Sequence, residues 1–362
     1  MSNSSRRLSP DEVRRIQQAE LTLQQLKKLL GNNYRAILAM QHVQKAFADK
    51  NDSFSVRDNR IMMQKINKIL KDSVGKFDAI LLNAIQKEWE LTNPTLWKGL
   101  KTVYAKTLKE VQLHNELKAK AEVSVRDAAS ASRTFYNEKR NGFSISDRVW
   151  KLHANIPIEI DVMVQNAIKE GKSADALSRE LNKYLNEPDK IFRKVRNKKT
   201  GELEWSKAAK EYKPGRGVYR SSYKNAMRLA RTEINAAYRR AEWEAYQNNP
   251  RIYGYEIALS NNTENQCEVC KKLAGTYPKW FLWTGWHPQC RCRMIPTLMP
   301  RSEWETLLKY RFEGRERDFK YKQISELPPQ FKEYLAENRE RIEQASAVPY
   351  WYQDNLNRIK SL

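Results

Sequence analysis

Every cysteine in the chain lies between Cys267 and Cys292, together with one of its four histidines. The stretch reads Cys267-x2-Cys270, sixteen intervening residues, then His287-Pro288-Gln289-Cys290-Arg291-Cys292. Five thiol and imidazole donors within 26 residues, brought in by two separate turns, have the composition of a tetrahedral zinc site. The competing reading is disulfides or free thiols, but adjacent disulfides from a Cys-x-Cys pair would be strained. Five donors compete for four places. Cys267, Cys270, Cys290 and one of His287 or Cys292 form the expected set, and because protein side chains fill every position the zinc is expected to be structural. His287 either binds the metal or braces the turn with Pro288.

Charge is the second constraint. At 362 residues the chain can hold two or three domains, and 66 Lys and Arg against 43 Asp and Glu leave +23 at pH 7. Such an excess points to a polyanionic partner, nucleic acid before anionic membrane, or to a solvated helical surface. With only 12 Gly and 13 Pro, the composition resembles neither a β-sandwich nor a disordered protein. The N-terminus is polar and no apolar run approaches the ~20 residues of a membrane span, so neither a signal peptide nor a membrane partner is expected. A chain made in a reducing cytosol uses clustered cysteines for metal or catalysis more often than for disulfides.

Periodicity predicts a mainly α fold: an elongated helical N-terminal region over 1–143, a small α+β module over 144–300, and a helical tail over 301–362. Ser9-Pro10-Asp11-Glu12 starts the first helix, with an N-cap serine, a proline at the first helical position and a capping-box glutamate. Val13, Ile16, Leu23, Leu26 and Leu30 form its apolar stripe, and Gly31 is the expected end. Further helices are expected over 34–47, 58–74, 77–89 and 96–123, with Asn93-Pro94 as a break. His42 and His114 read as surface or packed histidines, Trp89 and Trp97 as core or interface anchors. A helix pair follows, joined by Gly171-Lys172-Ser173, and it suits a plain bundle as well as a DNA-binding motif.

Periodicity fades in a basic insertion over about 186–217. Between Asn186 and Arg240, 16 Lys and Arg face 6 Asp and Glu. Arg193, Lys194, Arg196, Lys198, Lys199, Arg216 and Arg220 are the candidate phosphate contacts, although a solvated insertion has the same composition. A long helix over 221–247 carries Ala230-Arg231-Thr232-Glu233. At a spacing of two, Arg231 and Glu233 cannot pair along one face, so each needs a partner on another element. Alternation predicts a strand over 252–259, a turn over 273–278 and a second strand over 293–298, with the Cys/His module over 252–298 stapled by metal at one end.

The order of Ala230-Arg231-Thr232-Glu233, the strand, Cys267-x2-Cys270-x2-Leu273-Ala274-Gly275 and His287-Pro288-x-Cys290-Arg291-Cys292 resembles the phage Mu protein F-like family of minor head, or head morphogenesis, proteins. The resemblance spans roughly 144–298. Two departures are visible: Asn262 to Gln266 lack the aspartate the family often has before its first cysteine, and the segment from Phe192 to Pro214 is longer than a minimal family core. The resemblance makes Arg231, Thr232, Glu233, Gly275 and Pro288 structural motif residues. It implies a non-enzymatic virion assembly protein of a phage or prophage, made in the bacterial cytoplasm and lodged in the procapsid interior. Its expected partners are the portal, scaffold or major capsid protein and double-stranded DNA bound without sequence preference.

Two other classes compete. A zinc-dependent nucleic-acid-processing enzyme, such as a metal-dependent nuclease, needs an open coordination position and a nearby general base. A deaminase needs a glutamate where Gln289 stands. A nucleic-acid-binding regulator needs base-specific readout, which a diffuse basic surface does not provide.

Overall fold

The computed structural model describes residues 10–104, 128–212, 219–247, 249–260 and 266–360. The chain is mainly α, with small sheets. Its first three helices are α1 (Pro10–Leu38), α2 (Gln41–Ala48) and α3 (Arg60–Tyr104). In α1 the buried stripe runs through Leu23, Leu26, Leu30, Tyr34 and Ile37, so the helix passes Gly31 instead of ending there. One interior glycine costs only about 1 kcal/mol, less than those buried side chains return. Val13 and Ile16, expected on the same stripe, are exposed.

α3 corrects the sequence reading in the same way. Met62, Ile66, Leu70, Val74, Phe77, Leu81, Ile85 and Trp89 are buried at spacings of three and four, which carries one helix through Gly75. Asn93-Pro94 does not break it either: the proline removes one backbone donor, and the helix continues to Tyr104. At 45 residues it is roughly 68 Å long.

Next come α4 (Ala128–Asn137), α5 (Ile145–His153), α6 (Ile156–Lys169) and α7 (Ala174–Asn186). α5 opens on a reciprocal capping box, in which Ser144 accepts from the Asp147 N–H and the Asp147 carboxylate accepts from the Ser144 N–H at 2.9 Å. α6 is buried on nearly all sides and still carries Glu159, Asp161, Gln165 and Asn166. Each of these polar side chains holds a neighbouring segment. Glu159 accepts from Ser222 N, Ser222 Oγ and Tyr34 OH, all at 2.6 Å. Asp161 takes Val56 N at 2.6 Å and Arg57 Nε at 2.8 Å. Gln165 bridges Phe54 O and Ala208 N, and Asn166 donates to Ile191 O. Backbone groups that helix and sheet leave unpaired thus find partners inside the core.

Gly171 turns the chain at φ +68°, and Ser173 caps α7 by accepting from Ala176 N. The insertion forms the hairpin β1 (Val195–Arg196) and β2 (Leu203–Glu204), then α8 (Lys207–Glu211). α9 (Ser222–Gln247) packs against α1, α3, α5 and α7. Beyond it, β3 (Ile252–Ala258), α10 (Glu268–Lys272), β4 (Gly275–Pro278) and β5 (Arg293–Leu298) lead to α11 (Arg301–Phe312), α12 (Pro329–Glu343) and α13 (Tyr350–Ile359).

The sheet is antiparallel with β3 in the centre, in the order β4-β3-β5. The expected turn over 273–278 is therefore an edge strand from Gly275 onward, with Tyr277 opposite Tyr255 and Thr276 opposite Glu256. Gly254 allows this pairing, since a Cβ there would stand 2.6 Å from Tyr277 O. Under the sheet lies an aromatic core of Tyr255, Tyr277, Phe281, Trp283 and Trp286, completed by Phe331 and Leu335 of α12 and Trp351 of α13. Asn355 of α13 clamps Leu282 reciprocally, donating to its carbonyl and accepting its N–H, both at 2.8 Å.

Glu159 makes the stability of this scaffold depend on pH. Burial raises its carboxyl from 4.5 to about 7, against the opposing hydrogen bonds from Ser222 and Tyr34. The folded protein then keeps a proton that the unfolded chain has released, so this contribution is present below pH 4.5 and lost as pH rises through about 7. Thermal melts of Glu159→Gln across that window are expected to fall less with rising pH than those of the parent. An identical slope in both proteins contradicts this.

Candidate metal centre

Two short turns bring the donors together. Cys267 is the N-cap of α10, its Sγ accepting from Cys270 N at 3.3 Å, and one helical turn then aims Cys270 Sγ to the same side. The second turn runs from Gly285, at φ +131°, through Gln289, at φ +61°, and closes with Cys290 N donating to His287 O at 3.1 Å. Cys292 follows at the entry to β5.

The five side chains form two overlapping triads. Cys267, Cys270 and His287 make one, Cys270, Cys290 and Cys292 the other, with the donor atoms of each triad within 4.8 Å of one another. His287 Nε2 is 3.2 Å from both Cys267 Sγ and Cys270 Sγ. Cys270 Sγ and Cys290 Sγ are 3.8 Å apart, and all four cysteines are free thiols. That separation is far beyond a disulfide bond and equals the edge of a tetrahedron of sulfurs about 2.3 Å from a central zinc, roughly 3.8 Å. The five residues together form a possible metal site.

His287 shows which of its nitrogens is available. Its Nδ1 lies 2.8 Å from Pro288 O, a carbonyl that can only accept, so Nδ1 carries the proton and the Nε2 lone pair faces the two sulfurs. Bracing the turn and presenting a ligand atom are thus one arrangement. His287 is exposed and Cys267 half-buried, while Cys270, Cys290 and Cys292 lie in the aromatic core. Hydrogen bonds from Cys270 and then Cys292 draw the Cys290 thiol far below its ordinary range, with Arg239 acting in the same sense, and the contact with Cys290 drives Cys270 up. Three sulfurs this close share protons unless a cation joins them.

The motif of α9 docks on this loop. Gln289 N donates to Thr232 Oγ1 at 3.2 Å, and Arg231 Nη1 donates to Gln289 Oε1 at 3.3 Å. Glu233 points the other way and is buried, accepting from Arg148 Nη1 at 2.7 Å and from Tyr350 OH at 3.1 Å. Gly275, at φ +150°, leaves room for Gln330, whose Nε2 donates to Ala274 O at 2.9 Å. Pro288 is exposed beside His287.

Sequence reasoning missed Arg239. Its guanidinium, buried under the loop, donates to Thr284 O, Cys290 O and Cys292 O at 2.9, 2.6 and 2.9 Å. A legible signal existed: Arg239 lies seven residues, two helical turns, after Thr232, so both face the loop.

The basic candidates are distributed differently. Lys194, Arg196, Lys198 and Lys199 are exposed on and beside the β1–β2 hairpin, and Arg220 is exposed just before α9. Arg193 pairs with Glu170 at 2.6 Å, Arg196 donates to Gly201 O, and Lys198 lies across Gly171. His42 is half-buried, and Trp89 is buried with Nε1 donating to Glu244. His114, Arg216, Asn262 to Asn265 and the side chain of Trp97 lie outside the described residues. No helix among the described residues is long and apolar enough to cross a membrane. Comparison with protein-family models, with curated proteins and with solved structures finds no match.

Replacing Thr232 by Val removes the acceptor of the Gln289 amide while keeping the shape of the side chain. We expect a loss of about 1 kcal/mol in chemical denaturation, with faster hydrogen exchange confined to 287–292. Exchange unchanged over that turn counts against the docking role.

Proposed function

We propose that the chain is a phage or prophage minor head protein acting in head morphogenesis. It catalyses no reaction, works at the portal and procapsid interior, and touches packaged DNA through exposed lysines and arginines without reading sequence. The observation that supports this reading most is the contact between the two stretches on which the family resemblance rests. Thr232 and Arg231 meet Gln289 of the His-Pro-Gln-Cys turn, 57 and 58 residues further along the chain. Residues that look like motifs in sequence thus have a mutual structural reason, which is to hold a small module against the long helix that joins it to the helical body.

Zinc is the metal that the donor chemistry favours, since mixed thiolate and imidazole at tetrahedral spacing suits it better than harder or square-planar ions. Cys267, Cys270, His287 and Cys290 would hold it, with Cys270 common to both triads. When bound, the metal supplies cross-linking of two turns, and the folding of the loop is linked to its binding. All four positions are filled by side chains, so no coordination site is assigned to a substrate.

Co-expression with the portal and coat proteins of the same genome tests the assembly role directly: the chain is expected inside purified procapsids, and its exclusion from particles contradicts the reading. The metal is tested separately. Purified protein is expected to carry about one equivalent of zinc, and Cys270→Ser to lose it along with a clear part of its thermal stability. A Ser variant with unchanged metal content and melting temperature removes zinc from the proposal.

A further inference from the structure

Arg239 is a buried cation that forms no ion pair with an acidic side chain among the described residues. It is 4% exposed, and its hydrogen bonds all go to main-chain oxygens. Glu242, the nearest acid along α9, accepts from Tyr238 OH and acts on Arg239 only through space, sharing its field with Arg15, while burial pushes its carboxyl up to about 7. The guanidinium also lies over the ring of Trp283, 4.6 Å from its centre, within the buried aromatic core. A buried charge in such a place is costly unless something nearby carries the opposite sign.

The loop beneath it is shaped to receive it. Arg239 Nη2 reaches the carbonyls of Cys290 and Cys292, so one nitrogen fixes both ends of the Cys-x-Cys segment. Nη1 fixes Thr284. Between these contacts stands Gly285, where a Cβ would come within 2.8 Å of Nη1. Only glycine leaves that space, and its φ of +131° is one that other residues rarely adopt.

We propose that Arg239 is the buried counter-cation and positioning residue of a metal–thiolate centre in the Cys267–Cys292 loop. This rests on the zinc reading above. Three thiolates bring three negative charges to a divalent ion and one imidazole brings none, so the centre keeps one net negative charge. One guanidinium balances it. The charge explains why an arginine is tolerated in this core, and the fork explains why it is placed at the carbonyl of Cys290, a ligand, and at those of Thr284 and Cys292 on either side.

Metal affinity, measured by competition with a chromophoric chelator, and the thiolate-to-metal charge-transfer band of the cobalt(II) protein test the assignment. Wild-type protein that takes up neither zinc nor cobalt overturns the metal reading itself, before any variant is made. If it binds, Arg239→Met is expected to weaken affinity by about ten- to a hundredfold, the usual range for groups that orient metal ligands. Arg239→Lys, which keeps the charge, should restore part of that loss, and Arg239→Gln, which keeps donors without charge, should restore less. Gly285→Ala changes no ligand side chain and is expected to weaken affinity at least as much as Arg239→Gln, because its Cβ displaces the guanidinium and strains the turn beside Cys290. Equal affinity and an unchanged cobalt spectrum in Arg239→Met overturn the proposal. So does a Gln variant that binds as tightly as the Lys variant, because donors alone would then suffice. If Arg239→Met fails to fold, the Lys and Gln pair gives the same decision.

Discussion

Helix α9 is shared between two cores, and the packing on each side of it constrains what the other side can be. Toward the helical body it presents Ala226, Ala230, Ala236, Ala237 and Ala241, all buried, and such small side chains let α1 and α3 approach closely. Toward the module it presents Thr232, Arg239 and Tyr246. A larger residue on the first side would push the helix away from α3, and the same movement would withdraw Thr232 and Arg239 from the loop they hold. Glu233 adds a third tie by pairing with Arg148 of α5 and Tyr350 of α13.

Local chemistry made part of this legible. Ser173 announced its helix because a cap needs only a short side chain and a nearby N–H, and the cysteine spacing announced a possible metal site because ligands on tight turns must be close in sequence. The helix breaks predicted at Gly31, Gly75 and Asn93-Pro94 did not occur. Breaker residues act through local propensity, and a buried stripe of eight side chains along α3 outweighs one or two of them. The strand at β4 was hidden for the opposite reason: four residues containing glycine and proline have no local preference for a strand until β3 supplies the pairing.

Buried polar groups were the least legible. Glu159 and Asp161 sit on a helix whose apolar content alone accounts for its burial, and their partners come from Tyr34, Val56, Arg57 and Ser222, which are remote in sequence. Arg239 is similar, since its acceptors are backbone carbonyls that no side-chain pattern reveals. The contribution of α12 and α13 to the aromatic core was also unread, because Phe331 and Trp351 announce burial without naming what covers them.

The clamp between Asn355 and Leu282 has a consequence for synthesis. Trp283 and Trp286 emerge from the ribosome well before the helix that shields them, and at ~5–20 residues per second the delay to residue 359 is roughly 4 to 15 s. During that interval Tyr255, Tyr277, Phe281, Trp283 and Trp286 lack Phe331, Leu335 and Trp351, and the uncovered rings are open to premature association with neighbouring nascent chains. The helical body already made by then offers α9 as a surface on which the loop can settle, so the order of the chain itself acts as a chaperone for its most hydrophobic part.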